Sequence, residues 1–186
     1  MVREKGNHTL VVLGLGSNKG DSCRAIRDTI KALEEIMTDI ESASLYETAP
    51  LYVTDQNKFI NTAVSGFFPG ACDNRSARDL LYRIHYIESR FGRDRAQERK
   101  WGERLIDIDI LLFGNCIVKE PDLEIPHSLL RERRFALEPL LELMPDAVDP
   151  GTGLLYKGIC DALPDQGVNR IVNELSQSRQ GAENYE

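Results

Sequence analysis

No stretch of this sequence approaches the ~18 consecutive apolar residues of a membrane-crossing helix. The polar opening, residues 1–8, leads into a strand-like run rather than a secretory signal. Both absences predict a cytoplasmic protein with no membrane partner. Aromatic residues make up only 7 % of the chain and the formal net charge is −7. A protein that grips nucleic acid needs a basic face and stacking platforms, so that class is disfavoured and any anion site must be local. There is no CxxC pair and no histidine at zinc-finger spacing. The four cysteines, Cys23, Cys72, Cys116 and Cys160, stand far apart, which argues against a metal knuckle or a redox dithiol and leads us to expect free thiols. A P-loop consensus, a complete GxGxxG and internal repeats are likewise missing.

With 186 residues, 41 % of them hydrophobic, the chain can bury one core. We expect a single domain over residues 1–175 and a polar, disordered tail over 176–186. Residues 9–15 form a β-branched-rich run ending at Gly16-Ser17-Asn18, read as a buried strand entering a tight turn. Asp21 or Ser22 can cap a helix carrying Ile26, Ile30, Leu33 and Met37 at helical spacing. Residues 40–46 and 59–67 read as strands. Ala77, Leu80, Leu81, Ile84, Ile87 and Phe91 mark a second helix, capped by Ser76 and closed by Gly92. A strand over 105–113, a short strand over 116–118 after Gly114-Asn115, and helical segments over 135–143 and 159–163 complete the pattern. The order β-α-β-β-α-β predicts an α+β protein with a ferredoxin-like core, a mainly antiparallel sheet and helices on both faces.

Asp107 and Asp109 are the sharpest chemical signal. Two apart on a strand, they project from one face of an apolar run, where a hard cation such as Mg²⁺ would relieve their repulsion. A merely wet outer face would carry the same pattern. Arg90, Arg93, Arg95, Arg99, Lys100 and Arg104 place six cations in the fifteen residues leading up to the pair. Arginine forks beside metal-bound carboxylates suit polyphosphate, although Asp94, Glu98 and Glu103 would neutralise part of a solvated loop. Arg131, Arg133 and Arg134 follow Pro126-His127 at the start of a helix, another place that favours anions. Phe59 and Phe135 could clamp a flat ring, with Asn61 on the same strand face as Phe59 reading the ring's edge; as isolated aromatics they more often belong to a core. Glu88 is either a nucleotide contact or an arginine partner. The rival readings are a nucleotide-sensing module without turnover and a metal-dependent nucleotidyltransferase.

Taken together, the residues resemble the 6-hydroxymethyl-7,8-dihydropterin pyrophosphokinase family. Lys100-Trp101-Gly102-Glu103-Arg104-Leu105-Ile106-Asp107-Ile108-Asp109 carries the match most strongly. Gly16-Ser17-Asn18, Tyr46 to Leu51, Phe59-Ile60-Asn61, Glu88 to Arg93, and Pro126-His127 with Arg133 and Phe135 follow in order. The resemblance implies ATP and the pterin as substrates and two Mg²⁺ ions on Asp107 and Asp109. It implies a pterin held by Phe59, Phe135, Asn61, Thr48 and Leu51. Arg93 and Arg95 would close over the site, Arg104, His127 and Arg133 would bind phosphates, and Glu88 falls in a nucleotide-contacting stretch. Ala49 and Ser128 depart from the family pattern.

Overall fold

The computed structural model describes residues 6–50, 55–92 and 103–171. Among these residues eight strands and four α-helices follow in order: β1 (His8–Ser17), α1 (Ser22–Leu33), β2 (Thr38–Ser42), β3 (Leu45–Thr48), β4 (Phe59–Pro69), α2 (Asn74–Arg90), β5 (Asp107–Phe113), β6 (Val118–Glu120), β7 (Leu123–Ile125), α3 (Arg134–Leu143), α4 (Tyr156–Ala162) and β8 (Asn169–Ile171). The main sheet runs β5-β1-β4-β3-β8, with β2 also on β4, and β6 and β7 form a separate ribbon. Every pairing among the described residues is antiparallel.

The period-2 alternation of β1 divides the interior. Val11, Leu13 and Leu15 join Ile26 and Leu33 of α1 and Leu80, Ile84 and Ile87 of α2 in one apolar cluster. Val12 faces the other way, into a second cluster with Ala63, Leu111, Leu137 and Leu140 of α3 and Tyr156 of α4. Helices therefore cover both sheet faces, as the hydrophobic pattern predicts.

Local chemistry accounts for the helix ends. Asp21 caps α1 by accepting the Arg24 N–H at 3.0 Å. The cap of α2 is Asp73, which accepts the N–H of Ser76 at 2.7 Å; the helix starts earlier than its apolar stripe, so Ser76 lies inside the first turn. Gly92, at φ +81, turns the chain out of α2 in the left-handed region that glycine tolerates. Gly16 is not a turn residue: β1 continues through Ser17, and the positive-φ position is Gly20.

The expectation of four free thiols is corrected at two positions. Cys72 and Cys116 are disulfide-bonded, with Cα atoms 5.6 Å apart, while Cys23 and Cys160 are free. The register supplies the reason. β4 and β5 both run antiparallel to β1, so Pro69 opposite His8 and Phe113 opposite Val11 end at the same edge of the sheet, and each cysteine follows its strand end by three residues.

Below α3, the fully buried carboxylate of Asp149 takes two bonds from Arg131, at 2.6 and 2.9 Å, and the N–H groups of Gly151 and Thr152 at 2.8 and 3.0 Å. Burial works to raise this carboxyl, but the four donated bonds outweigh it and hold it at about 2. A carboxyl depressed in the folded state stabilises the fold above its unfolded value, near ~3.9, and loses that contribution as pH falls through the folded one. Asp149→Asn should therefore lower urea stability by roughly 2 kcal/mol at pH 7. The difference should shrink as pH drops from about 4 toward about 2, which urea titrations of both proteins at stepped pH will read.

Candidate active site

The register of three adjacent strands builds the floor. Gly16 lies between Asp107 of β5 and Asn61 of β4, and Gly14 between Asp109 and Ala63. Acid pair, glycine pair and Asn61 thus share the sheet face that α3 covers. A Cβ at Gly14 would stand 3.2 Å from Leu111 Cδ2 and one at Gly16 3.1 Å from Asn61 Oδ1. Glycine at both positions keeps the floor low enough for a ligand to lie on it. The resulting cavity of about 120 Å³ is walled by Thr48, Phe59, Arg104, His127, Arg133 and Phe135, with Gln56 and Gln166 at its margin.

Asn61 is buried, and its Nδ2 donates to Thr48 Oγ1 at 2.9 Å. That bond leaves Oδ1 toward Gly16 and the cavity. On the opposite side the guanidinium of Arg104 pairs with the carboxylate of Asp107. The backbone of Arg104 is held by buried Asn18, whose Oδ1 accepts its N–H at 2.8 Å and whose own N–H donates to its C=O at 3.1 Å. Asn18 Nδ2 also donates to Gln56 Oε1 at 3.0 Å. The Gly16-Ser17-Asn18 motif is thus a strand end that fastens the arginine.

Asp109 lies deep in the cleft with 42 % of its side chain open to it. Burial and the like charge of Asp107 hold it above the usual carboxylate range, against the pull of Arg133 and Arg104. His127 Nε2 is 3.8 Å from Asp109 Oδ2, and its Nδ1 accepts the N–H of Leu129 at 3.2 Å. Burial and the charge of Arg133 hold this imidazole below its ordinary value, so at pH 7 it is neutral, with its proton on Nε2 facing the cleft. The Arg133 guanidinium carbon is 5.6 Å from the centre of the Phe135 ring.

Among the described residues no three or more His, Cys, Asp or Glu side chains gather as a self-sufficient metal cage. Asp107 and Asp109 are nonetheless a donor set that suits Mg²⁺, which takes one or two carboxylates and fills its shell with water and phosphate oxygens.

The structure brings Thr48, Phe59, Asn61, Arg104, Asp107, Asp109, His127, Arg133 and Phe135 to one cavity. Leu51, Arg93 and Arg95 lie outside the described residues. Glu88 is not in the cavity wall. It is 1 % exposed on α2, and its Oε1 accepts the N–H of Ile108 at 2.9 Å, bonding to β5 between the two aspartates. Glu88→Ala leaves that amide buried without this acceptor and should cost about 1–3 kcal/mol, read as a lower urea midpoint. Glu88→Gln keeps an acceptor and should lose less. Gly14, Gln56 and Gln166 were not singled out in the sequence. Two glycines two apart in a strand are the signal for Gly14; the glutamines carry none.

The fold and cleft define the chain as an α+β domain whose candidate site, an acidic pair flanked by arginines and two phenylalanines, is built on the face of an antiparallel sheet. The family model for 7,8-dihydro-6-hydroxymethylpterin-pyrophosphokinase matches residues 12–145, and the chain belongs to that family. A curated relative from Aquifex aeolicus, 2-amino-4-hydroxy-6-hydroxymethyldihydropteridine pyrophosphokinase, is 37 % identical over 141 residues, covering 75 % of this chain and 83 % of that protein. The folic acid synthesis protein fol1 of Schizosaccharomyces pombe is 35 % identical over 170 residues, 89 % of this chain and 22 % of that protein. The folate synthesis bifunctional protein, mitochondrial, of Pisum sativum is 38 % identical over 143 residues, 76 % of this chain and 26 % of that one. The chain thus spans only about a quarter of the length of these two long relatives. Among solved structures, wild-type HPPK-DHPS from Plasmodium falciparum superposes with a TM-score of 0.64 over 86 % of this chain and 45 % of that one, at 16 % identity, and shows the same fold.

Proposed function

We propose that this chain transfers the diphosphate of ATP to the hydroxymethyl group of 6-hydroxymethyl-7,8-dihydropterin and releases AMP, a step of folate synthesis. The observation that carries this reading is the row across β5, β1 and β4. It places Asp107 and Asn61 on either side of Gly16, so that a polyphosphate beside the acids and a ring beside Asn61 lie on one floor.

In this reading Phe59 and Phe135 hold the pterin between them, and Asn61, Thr48 and Leu51 read its polar edge. Arg104, His127 and Arg133 bind phosphate oxygens, His127 through its Nε2 proton. Arg93 and Arg95 close over the triphosphate. Asp107 and Asp109 would hold two Mg²⁺ ions, which would neutralise phosphate charge and polarise the phosphoryl group. Glu88 supports β5 from behind rather than touching nucleotide.

The pterin hydroxymethyl oxygen attacks the β-phosphorus in line. Its new O–P bond replaces the bond from the β-phosphorus to the bridging α–β oxygen, which departs with AMP, and the hydroxyl proton passes to solvent. No side-chain base is assigned. Positioning by the ring clamp and charge neutralisation by the arginines supply the acceleration.

The strand order supports a ferredoxin-like core; we take the catalytic domain as residues 1–175, acting in the cytoplasm on small molecules and not on nucleic acid. No helix among the described residues is long and apolar enough to cross a membrane. The test is chromatographic assay of AMP from ATP and Mg²⁺ with and without the pterin. AMP that forms only with pterin supports the reading, and pterin-independent ATP hydrolysis contradicts it.

A further inference from the structure

Gln166 lies between α4 and β8, beyond the residues 12–145 that match the family model. Its side chain spans the two peptide groups that flank Arg133. Oε1 accepts the N–H of Arg134 at 2.9 Å, and Nε2 donates to the C=O of Glu132 at 2.8 Å. Arg133 is extended there, at φ −119 and ψ 100, and makes no side-chain cap for α3. The Arg134 N–H is one of the first helix donors, which lack a partner within the helix, so Gln166 caps α3 from 32 residues away. Arg134 returns the connection, donating from Nη1 to the C=O of Cys160 at 3.2 Å and of Leu163 at 3.1 Å.

Arg133 itself lines the cavity, and its buried Nε has no hydrogen-bond partner among the described residues. With nothing among the described residues bonded at Nε, the aim of this side chain rests on the Phe135 ring beside its guanidinium and on the backbone that launches it. Gln166 fixes that backbone on both sides.

We infer that Gln166 is a positioning residue: by bridging Glu132 and Arg134 it sets the direction of Arg133 toward the phosphates of the nucleotide. The inference rests on the reading of Arg133 as an ATP ligand. Gln166 does not itself need to touch substrate, since both ends of its amide are engaged with backbone.

A double-mutant cycle on the full chain tests it. MgATP affinity is measured by calorimetry, and the pterin KM by steady-state kinetics, for wild type, Gln166→Ala, Arg133→Ala and the double variant. Gln166→Ala should weaken MgATP binding roughly threefold to tenfold, the scale of one helix-cap interaction, and leave the pterin KM within about twofold. It should add no further loss in the Arg133→Ala background, because both changes remove one interaction. Gln166→Glu, which keeps the acceptor for Arg134 but loses the donor for Glu132, should fall between, and it carries the test should Gln166→Ala fail to fold. If Arg133→Ala binds MgATP as wild type does, the nucleotide reading of Arg133 fails. If Arg133→Ala binds weakly while Gln166→Ala matches wild type, adds fully to it, or loses ATP and pterin alike, the positioning role is overturned.

Discussion

Asp107→Asn and Asp109→Asn should each lower pterin-dependent AMP formation by at least about a hundredfold, the scale on which removing one charge-stabilising group is felt. Asparagine keeps the volume and the strand, and at Asp109 it removes a charge that burial and Asp107 disfavour, so Asp109→Asn should not lower the urea midpoint and the loss should appear in turnover. The two variants differ in what they leave behind. Asp107 carries an ion pair with Arg104, so its neutralisation releases an arginine beside the phosphates, and nucleotide binding should survive better than rate. Asp109 is held partly toward its neutral form by burial and by Asp107, and its substitution removes the second carboxylate of the pair. Titration of activity with Mg²⁺ should reach saturation only at higher metal in both variants. Near-wild-type rates in either would mean that the pair is only a wet strand face.

Asn61→Ala should raise the pterin KM by roughly tenfold to a hundredfold while MgATP affinity stays within about twofold. A site built to hydrogen-bond a polar edge loses that much when one partner is removed. The structure gives the direction: Nδ2 is committed to Thr48 Oγ1 at 2.9 Å, so it is Oδ1 that faces the cavity over Gly16. Thr48→Val, which removes the hydroxyl that orients the amide, should move the pterin KM the same way by a smaller factor. Separate KM measurements for the two substrates will read both effects. Equal loss for ATP and pterin would place Asn61 in the shared floor rather than at the ring edge.

Much of this site was legible because it is carried by local periodicity. The alternation of β1, the apolar stripe of α2 and the Asp107–Asp109 spacing each fix which face a side chain takes. The features that were not legible depend on contacts between distant segments. The strand read over residues 40–46 is divided into β2 and β3 around buried Ala43, whose N–H donates to the C=O of Ala63 at 2.9 Å; the same strand, β4, serves both pieces. β8 has three residues and no pattern of its own, and forms because Leu45, Tyr46 and Glu47 offer it an edge. The Cys72–Cys116 bond follows from two strands ending together, which spacing in sequence does not encode. Glu88 carried a charge on the flank of an apolar stripe, a pattern that suits a surface contact as well as a buried amide acceptor. Only packing against β5 decides between them.

Diphosphate transfer is tested most directly by the identity of the transferred group, followed by ³¹P NMR during turnover of ATP, Mg²⁺ and 6-hydroxymethyl-7,8-dihydropterin. The expected products are AMP and a pterin diphosphate in equal amounts, with both phosphorus atoms of the new ester derived from the β and γ positions. ADP with a pterin monophosphate, or ATP left intact beside unchanged pterin, would contradict it.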